Sequence, residues 1–218
     1  STLFPYTTLF RSLRYARRFF FEQEERTTSG LFDVIIQTDR VITSRSSHTL
    51  LPWLREVIMK IRFNKEKGIQ ILRYFVNKGL HDLYQIGKAM YFADRYHLEH
   101  HGYFIADDVY IAMDAGPVPS GFYDILKEVR TSKSAYGVIA EKNDFISAQA
   151  ADLSYFSPAD VKSLEYGIDQ VRDRNFSEIK EKSHDDAYYK TELNKQIRMT
   201  DIAEMLDPSG ELLEYLAR

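Results

Sequence analysis

The sequence contains no cysteine, which excludes disulfide-stapled folds, thiolate nucleophiles, and zinc or iron–sulfur sites with cysteine ligands. It also has no apolar run approaching the roughly 18 residues of a membrane-spanning helix. The net charge of −3 over 218 residues provides no concentrated basic face of the kind that phosphate contacts require. These absences predict a globular, cytoplasmic protein whose partners include neither a membrane nor nucleic acid.

Lysine is missing from the start of the chain: all 13 lysines lie beyond Met59, whereas residues 1–58 hold 8 of the 16 arginines. Residues 1–12 resemble the in-frame translation of a sequencing-library adapter, and Met59 is the first methionine. We therefore expect residues 1–58 to be a non-native leader and residues 59–218 to form one domain, which carries a net charge of −5. A genuine N-terminal extension is the alternative, because the stretch 50–58 has some local apolar pattern.

Capping residues and apolar periodicity predict two long helices at the start of this domain. Asn64 can cap a helix whose apolar residues recur every three or four positions up to Gly79, a residue suited to a left-handed helix end. Asp82 and Gln85 form a predicted capping box at the start of a second helix, which stops at Gly102.

More helix starts follow along the chain. Ser120 is predicted to cap one helix, and Ser157 followed by Pro158 is a typical N-cap with proline at the first helical position. Three short helices are predicted near Ser177–Lys182, after Ser183 with Asp186 as the capping-box acid, and after Thr200.

Two segments depart from the helical period. Alternating apolar residues between Tyr136 and Ala150 predict a small antiparallel hairpin. The segment 109–113 fits either a short helix or an extended strand, and the two prolines of Gly116-Pro117-Val118-Pro119 predict a rigid turn after it. The expected fold is mainly α, a compact multi-helix domain with a small antiparallel β-hairpin.

The densest group of ionisable residues lies at the end of the second helix. His97 and His101 are four positions apart and share a helix face, so they could ligate a metal with Asp107 or Asp108. A metal-dependent hydrolase is therefore the alternative function. The zincin motif is not matched, because Leu98 stands where that motif needs glutamate.

Other polar groups have simple structural interpretations. Asp94 and Arg95 could orient a substrate, but such a pair on a helix surface usually only solvates that face. Ser183, His184 and Asp185 are the residue types of a catalytic triad, yet neighbours on a helix point about 100° apart and cannot form a relay with one another. We therefore predict no catalytic residues, no cofactor and no metal.

Tyrosine is abundant, with 13 in the 160 residues from Met59 onward. Tyrosine is enriched at protein interfaces because it buries a large area while its hydroxyl keeps a polar partner. About half of these tyrosines are expected to bridge core and solvent. The surplus favours a binding module over an enzyme.

Residues 88–126 resemble the signature of the Panacea, or SocA-like, antitoxin domain of bacteria and phages. The resemblance is also seen in a second stretch, Phe176–Tyr188, in which Tyr188 departs from the tryptophan common in the family. The matching positions of the first stretch are Tyr91 to Leu98, Gly102, Asp108, Ala112, Met113, Gly116 to Ser120 and Tyr123.

The resemblance implies a non-enzymatic antitoxin that neutralises a co-encoded protein toxin by direct binding, with some members delivering the toxin to a cytoplasmic protease. It also implies a set of motif or toxin-binding residues. These are Tyr91, Asp94, Arg95, His97, Gly116, Pro117, Val118, Pro119, Ser120, Tyr123, His184 and Asp185.

Overall fold

The computed structural model describes residues 63–217, so the interpretation of residues 1–58 as a leader lies outside the described residues. The mainly α fold with small antiparallel sheets is confirmed. None of the helices within the described range has the length and apolar content needed to cross a membrane. The α-helices of this range are α1 (Lys65–Asn77), α2 (Leu83–His101), α3 (Ser120–Ser132), α4 (Pro158–Val171), α5 (Phe176–Ser183), α6 (Asp186–Tyr189), α7 (Met199–Leu206) and α8 (Glu211–Leu216).

The predicted starts of α1, α2 and α4 are confirmed by their capping bonds. The Asn64 side chain accepts from the backbone N–H of Lys67 at 3.0 Å, and Ser157 forms a full capping box with Asp160. Asp82 caps α2, but the reciprocal half of its predicted box is absent. The Gln85 amide donates instead to the carbonyl of Val171 at the end of α4, because α4 packs against α2.

Helix α3 begins differently from the prediction, since Ser120 makes no side-chain capping bond. The carboxylate of Asp108 takes that role and accepts from the backbone N–H groups of Gly121 and Phe122, both at 2.8 Å. Asp108 is buried, so it can reach the first turn of a helix that starts twelve residues further along the chain. The prediction that Ser120 caps this helix is wrong.

The segment Gly116-Pro117-Val118-Pro119 is a strand rather than a turn. It pairs antiparallel with the preceding strand, so that Pro119 faces Tyr110 and Pro117 faces Ala112, and the turn lies at residues 114–115. This strand is at the edge of its sheet, where prolines are tolerated because no further strand needs their missing N–H groups. The strands are β1 (Tyr110–Met113), β2 (Gly116–Pro119), β3 (Ser134–Ala135), β4 (Val138–Glu141), β5 (Asp144–Ala148) and β6 (Gln196–Ile197).

The strands form two small antiparallel sheets in the described residues. The predicted hairpin is β4–β5, with β3 added on its other side, and its inward residues Val138, Ala140 and Phe145 are buried. The second sheet has the order β2-β1-β6, so a strand near the C-terminus pairs with β1. The sequence patterns did not predict this second sheet, because β6 has two residues and no readable alternation.

Helix α2 lies at the centre of the core, and ten of its nineteen residues are buried. Helix α4 packs most extensively against it. At this contact, a Cβ added to Gly167 of α4 would lie 2.2 Å from the backbone oxygen of Ala89 of α2. Only glycine permits this approach of the two helices. Fully buried core side chains on other elements include Leu72, Phe75, Phe122, Ile125, Phe145, Leu164 and Ile168.

Candidate functional site

Three segments far apart in the sequence meet at one place, where α2, the β1–β2 hairpin and the α5–α6 junction come together. At its centre, Oδ2 of Asp185 accepts from the Tyr91 hydroxyl at 2.7 Å and from Nη1 of Arg95 at 2.9 Å. The Arg95 guanidinium also lies 5.7 Å from the centre of the Tyr91 ring. Tyr91 is fully buried and Asp185 is largely so, which makes this a partly desolvated ion pair.

Asp185 also caps helix α6, the role that the sequence predicts for Ser183. Its Oδ1 accepts from the backbone N–H of Tyr188 at 3.0 Å and so caps α6. Ser183 is instead the buried last residue of α5, and its hydroxyl donates to the carbonyl of Lys180. The prediction that Ser183 caps α6 with Asp186 is wrong, because the chain is still helical at Ser183.

Lys88 also belongs to this site, although it is not among the site residues predicted from the sequence. Its side chain is 2% exposed, and its Nζ donates to the carbonyl oxygen of Pro117 at 2.7 Å. Burial lowers the pKa of Lys88 from 10.5 to about 7, while the charge of Asp185 opposes that shift. On α2 the spacings from Lys88 to Tyr91 and from Tyr91 to Arg95 are three and four residues, which places all three side chains on one helix face. This spacing is the feature of the sequence from which Lys88 could have been predicted as a site residue.

Gly116 joins the hairpin to the α5–α6 junction through close contact. Its φ is +96°, a conformation that favours glycine. An added Cβ would lie 2.8 Å from Oγ of Ser183 and 2.9 Å from both Cδ2 of His184 and Nζ of Lys88. Both the backbone conformation and the available space therefore require glycine here.

His184 lies against this contact and stacks on the ring of Tyr188, with ring centres 4.1 Å apart. Burial lowers its pKa, and the positive charges of Lys180 and Lys88 lower it further. Nε2 of His184 is buried and has no hydrogen-bond partner among the described residues. The neutral imidazole therefore serves as a packing surface under Tyr188.

The tip of the β1–β2 hairpin is held by two tyrosine hydroxyls. Tyr84 of α2 donates to the carbonyl of Ala115 at 3.1 Å, and Tyr188 of α6 donates to the carbonyl of Met113 at 3.0 Å. Burial raises the pKa of Tyr84 to about 12, so this hydroxyl keeps its proton at neutral pH. With Lys88 on Pro117, three side chains hold the backbone of the hairpin against the helices.

Exposed apolar side chains surround these buried polar contacts. Met113 is 40% exposed at the hairpin, Phe176 is 55% exposed on α5, and Tyr189 is 72% exposed on α6. We call Met113, Phe176, Tyr188 and Tyr189 the hairpin surface. Phe176 packs on Tyr84 at 4.5 Å between ring centres, so this surface rests directly on the residues that hold the hairpin.

Asp94 lies elsewhere and is a core residue, which corrects its interpretation as part of an exposed pair. Its Oδ1 accepts from the backbone N–H of Ile105 at 2.7 Å, and its Oδ2 accepts from the hydroxyl of Tyr110 at 2.6 Å. Complete burial raises the pKa of Asp94 to about 7. This carboxyl group joins α2 to the segment before β1.

The proposed metal ligands are not assembled into one set, because Asp108 lies at the start of α3. His97 is buried and its Nδ1 lies 2.9 Å from Oγ of Ser163, while Asp108 binds the start of α3. The ring of His101 is 4.6 Å from that of His97, centre to centre. In residues 63–217 no three histidine or carboxylate side chains are grouped so that they could hold a metal ion. The residues that the structure describes therefore supply no ligand set for the metal-dependent hydrolase.

The remaining motif residues lie in β2 and at the start of α3. Val118 is partly buried in β2 opposite Ile111, and the neighbouring Pro119 is buried. Ser120 donates its backbone N–H to the carbonyl of Val109. Tyr123 is partly buried on α3, and Nζ of Lys127 lies 5.3 Å from its ring centre.

Residues 86–189 match the protein family described as "Antitoxin SocA-like, Panacea domain". This segment is similar to the Panacea domain. The matched segment begins inside α2 and ends at the last residue of α6, so it contains every residue that meets around Asp185 except Tyr84. No curated protein and no solved structure matches the chain.

Proposed function

We propose that this protein is an antitoxin that neutralises a co-encoded protein toxin by binding to it directly, without catalysis, in the cytoplasm. One observation carries the proposal: motif residues of the Panacea domain from three separate segments meet around Asp185, directly beneath exposed aromatic residues. Tyrosine and arginine are enriched among the hot-spot residues of protein interfaces, which cluster where the packing is tight.

Direct binding is the function that these contacts support best. The polar groups around Asp185 use their hydrogen bonds on one another and on backbone carbonyls, as the bonds of Tyr91, Arg95 and Lys88 illustrate. Such groups hold a surface in shape and have little capacity left for a substrate. Tyr188 and Tyr189 supply large rings at a low entropy cost for contact with a partner.

Co-expression tests the proposal. We expect the product of the neighbouring reading frame to stop growth when expressed alone, and this protein to restore it. Tyr189→Ala should lose the rescue without a change in melting temperature, because this side chain is 72% exposed. Tyr155→Ala is the matched control, since Tyr155 is an exposed tyrosine at a distance along the chain, in the 3-10 turn Leu153–Tyr155.

The amount of toxin separates two routes to neutralisation. Sequestration leaves the toxin level in rescued cells unchanged and gives a complex that survives gel filtration. Delivery to a protease lowers the toxin level, which immunoblotting would detect. A neighbouring product that is harmless alone, or that still stops growth beside the wild-type protein, would refute the antitoxin proposal.

A further inference from the structure

A concentration of positive charge lies beside Asp185. The guanidinium carbon of Arg95 and Nζ of Lys182 are each 5.9 Å from the centre of the Phe92 ring. Two cations from different helices therefore lie around one buried aromatic side chain. We call Arg95, Arg174 and Lys182 the basic rim.

Arg174 completes the basic rim from the loop between α4 and α5. Its Nη1 donates to the backbone carbonyl of Asp169 at 2.6 Å, which holds the guanidinium near the end of α4. Burial lowers the pKa of Lys182, and the charges of Arg174 and Arg95 lower it further. The charges of Arg174 and Arg95 thus each act against the positive charge of Lys182.

The basic rim has too few carboxylates to neutralise it. Asp185 pairs with Arg95, and its oxygens are also used by Tyr91 and by the backbone of Tyr188. Lys182 contacts the neutral amide oxygen of Gln170. Among residues 63–217, neither Lys182 nor Arg174 forms an ion pair. The excess of positive charge is confined to this part of the surface, since residues 59–218 as a whole carry a net charge of −5.

Asp185 connects the basic rim to the hairpin surface. Asp185 bonds Arg95 on one side and caps α6, which carries Tyr188 and Tyr189, on the other. A partner lying on these tyrosines would therefore place its next residues over uncompensated positive charge. Complementary charge at such a rim increases the rate of association and selects against wrong partners.

We propose that the partner docks an acidic segment on this protein, with carboxylate side chains against the basic rim and apolar side chains against Tyr188 and Tyr189. This inference rests on the proposed antitoxin function and specifies the chemistry of the toxin surface that is recognised. A carboxylate that binds Lys182 would replace its contact with the neutral amide of Gln170 by an ion pair.

Association kinetics with the purified product of the neighbouring reading frame test this inference. We expect the association rate to fall by about tenfold when salt rises from about 0.1 M to about 1 M, since the screening length falls from about 10 Å to about 3 Å. Lys182→Glu and Arg174→Glu should lower the association rate in low salt and weaken its salt dependence. Lys182→Gln, which removes only the charge, should give a smaller change in the same direction.

Lys162→Glu is the matched control. Lys162 is an exposed lysine on α4, eight residues before Gln170, and its Nζ lies 5.6 Å from the Tyr96 ring centre. The same change of charge at that position should leave the association rate close to that of the wild type. Melting temperatures would show that each variant is folded.

The outcomes separate the two proposals. If the wild-type protein rescues growth but its association rate is independent of salt and of Lys182, the acidic-segment proposal is wrong and the antitoxin proposal stands. If the wild-type protein neither binds the neighbouring product nor rescues growth, both are wrong. An equal loss in Lys162→Glu would show that total charge matters and that the basic rim does not.

Discussion

Nζ of Lys88 donates to the carbonyl oxygen of Pro117 at 2.7 Å, and this bond joins the central helix to an edge strand that has few donors of its own. The lysine is 2% exposed, so its ammonium group is held in a poorly hydrated place. A second contact forms where Gly116, the preceding residue, allows His184 to approach. The hairpin therefore depends on a buried titratable group.

The pH dependence of stability should reveal this group. Below about pH 7 the folded and the unfolded protein both carry the Lys88 proton, so the folded protein bears the full cost of a buried charge. Between about pH 7 and 10.5 the folded protein has released this proton while the unfolded chain still binds it. The free energy of unfolding should therefore rise with pH.

Relative to Lys88→Met, we expect the wild-type protein to gain up to about 1.4 kcal/mol per pH unit within that window. Urea unfolding of both proteins at several pH values measures the difference, in which contributions from all other groups cancel. Parallel curves for the two proteins would mean that Lys88 keeps a pKa near its ordinary value.

Gly116→Ala should destabilise the protein by about 3 kcal/mol, because backbone strain and steric overlap act together. Gly79→Ala separates the two effects. Gly79 has a similar φ of +88°, but an added Cβ would meet nothing within 4 Å. That variant should lose only about 1 kcal/mol. Chemical denaturation of both variants checks the ranking, and equal losses would show that contact with His184 and Ser183 is unimportant.

Two glycines inside helices should respond in opposite directions to the same substitution. Gly87 of α2 has open space at its Cβ position, so Gly87→Ala should stabilise the protein by about 0.5–1 kcal/mol through helix propensity. Gly167→Ala should destabilise it, because the methyl group would overlap the backbone oxygen of Ala89. Thermal unfolding would contradict the described packing of α2 on α4 if both variants became more stable.

Asp108→Ala should cost about 2 kcal/mol, because it leaves the N–H groups of Gly121 and Phe122 without their acceptor at the start of α3. Ser120→Ala should change stability by less than about 0.5 kcal/mol, since Ser120 makes no capping bond. Unfolding of the two variants by urea decides between the carboxylate and the hydroxyl as the cap of α3. A larger loss in Ser120→Ala would restore the cap predicted from the sequence.

The tyrosines of this protein have two different uses, which the amino-acid composition does not distinguish. The surplus of tyrosine predicts a binding surface, which stays a prediction, and Tyr189 is highly exposed beside the motif residues. Tyr91 and Tyr110, in contrast, are fully buried and donate to carboxylates. Composition cannot separate these two uses, because burial depends on which elements lie opposite each residue.

The sequence by itself determined the features that depend on near neighbours. Asn64, Asp82 and Ser157 begin helices because each side chain reaches a backbone N–H group only three residues away. The alternation around the β4–β5 turn was likewise readable, since a strand exposes and buries successive residues. Local geometry and apolar period were sufficient for the mainly α fold.

Only the tertiary structure decided which distant residues meet. Arg95 and Asp185 are 90 positions apart, and no local pattern relates them. The burial of Lys88 and the capping of α3 by Asp108 depend in the same way on where α2 and the β1–β2 hairpin come to lie. Hydrogen bonds and desolvation act over a few ångströms in space regardless of separation along the chain, so the site could be assembled only after the helices had packed.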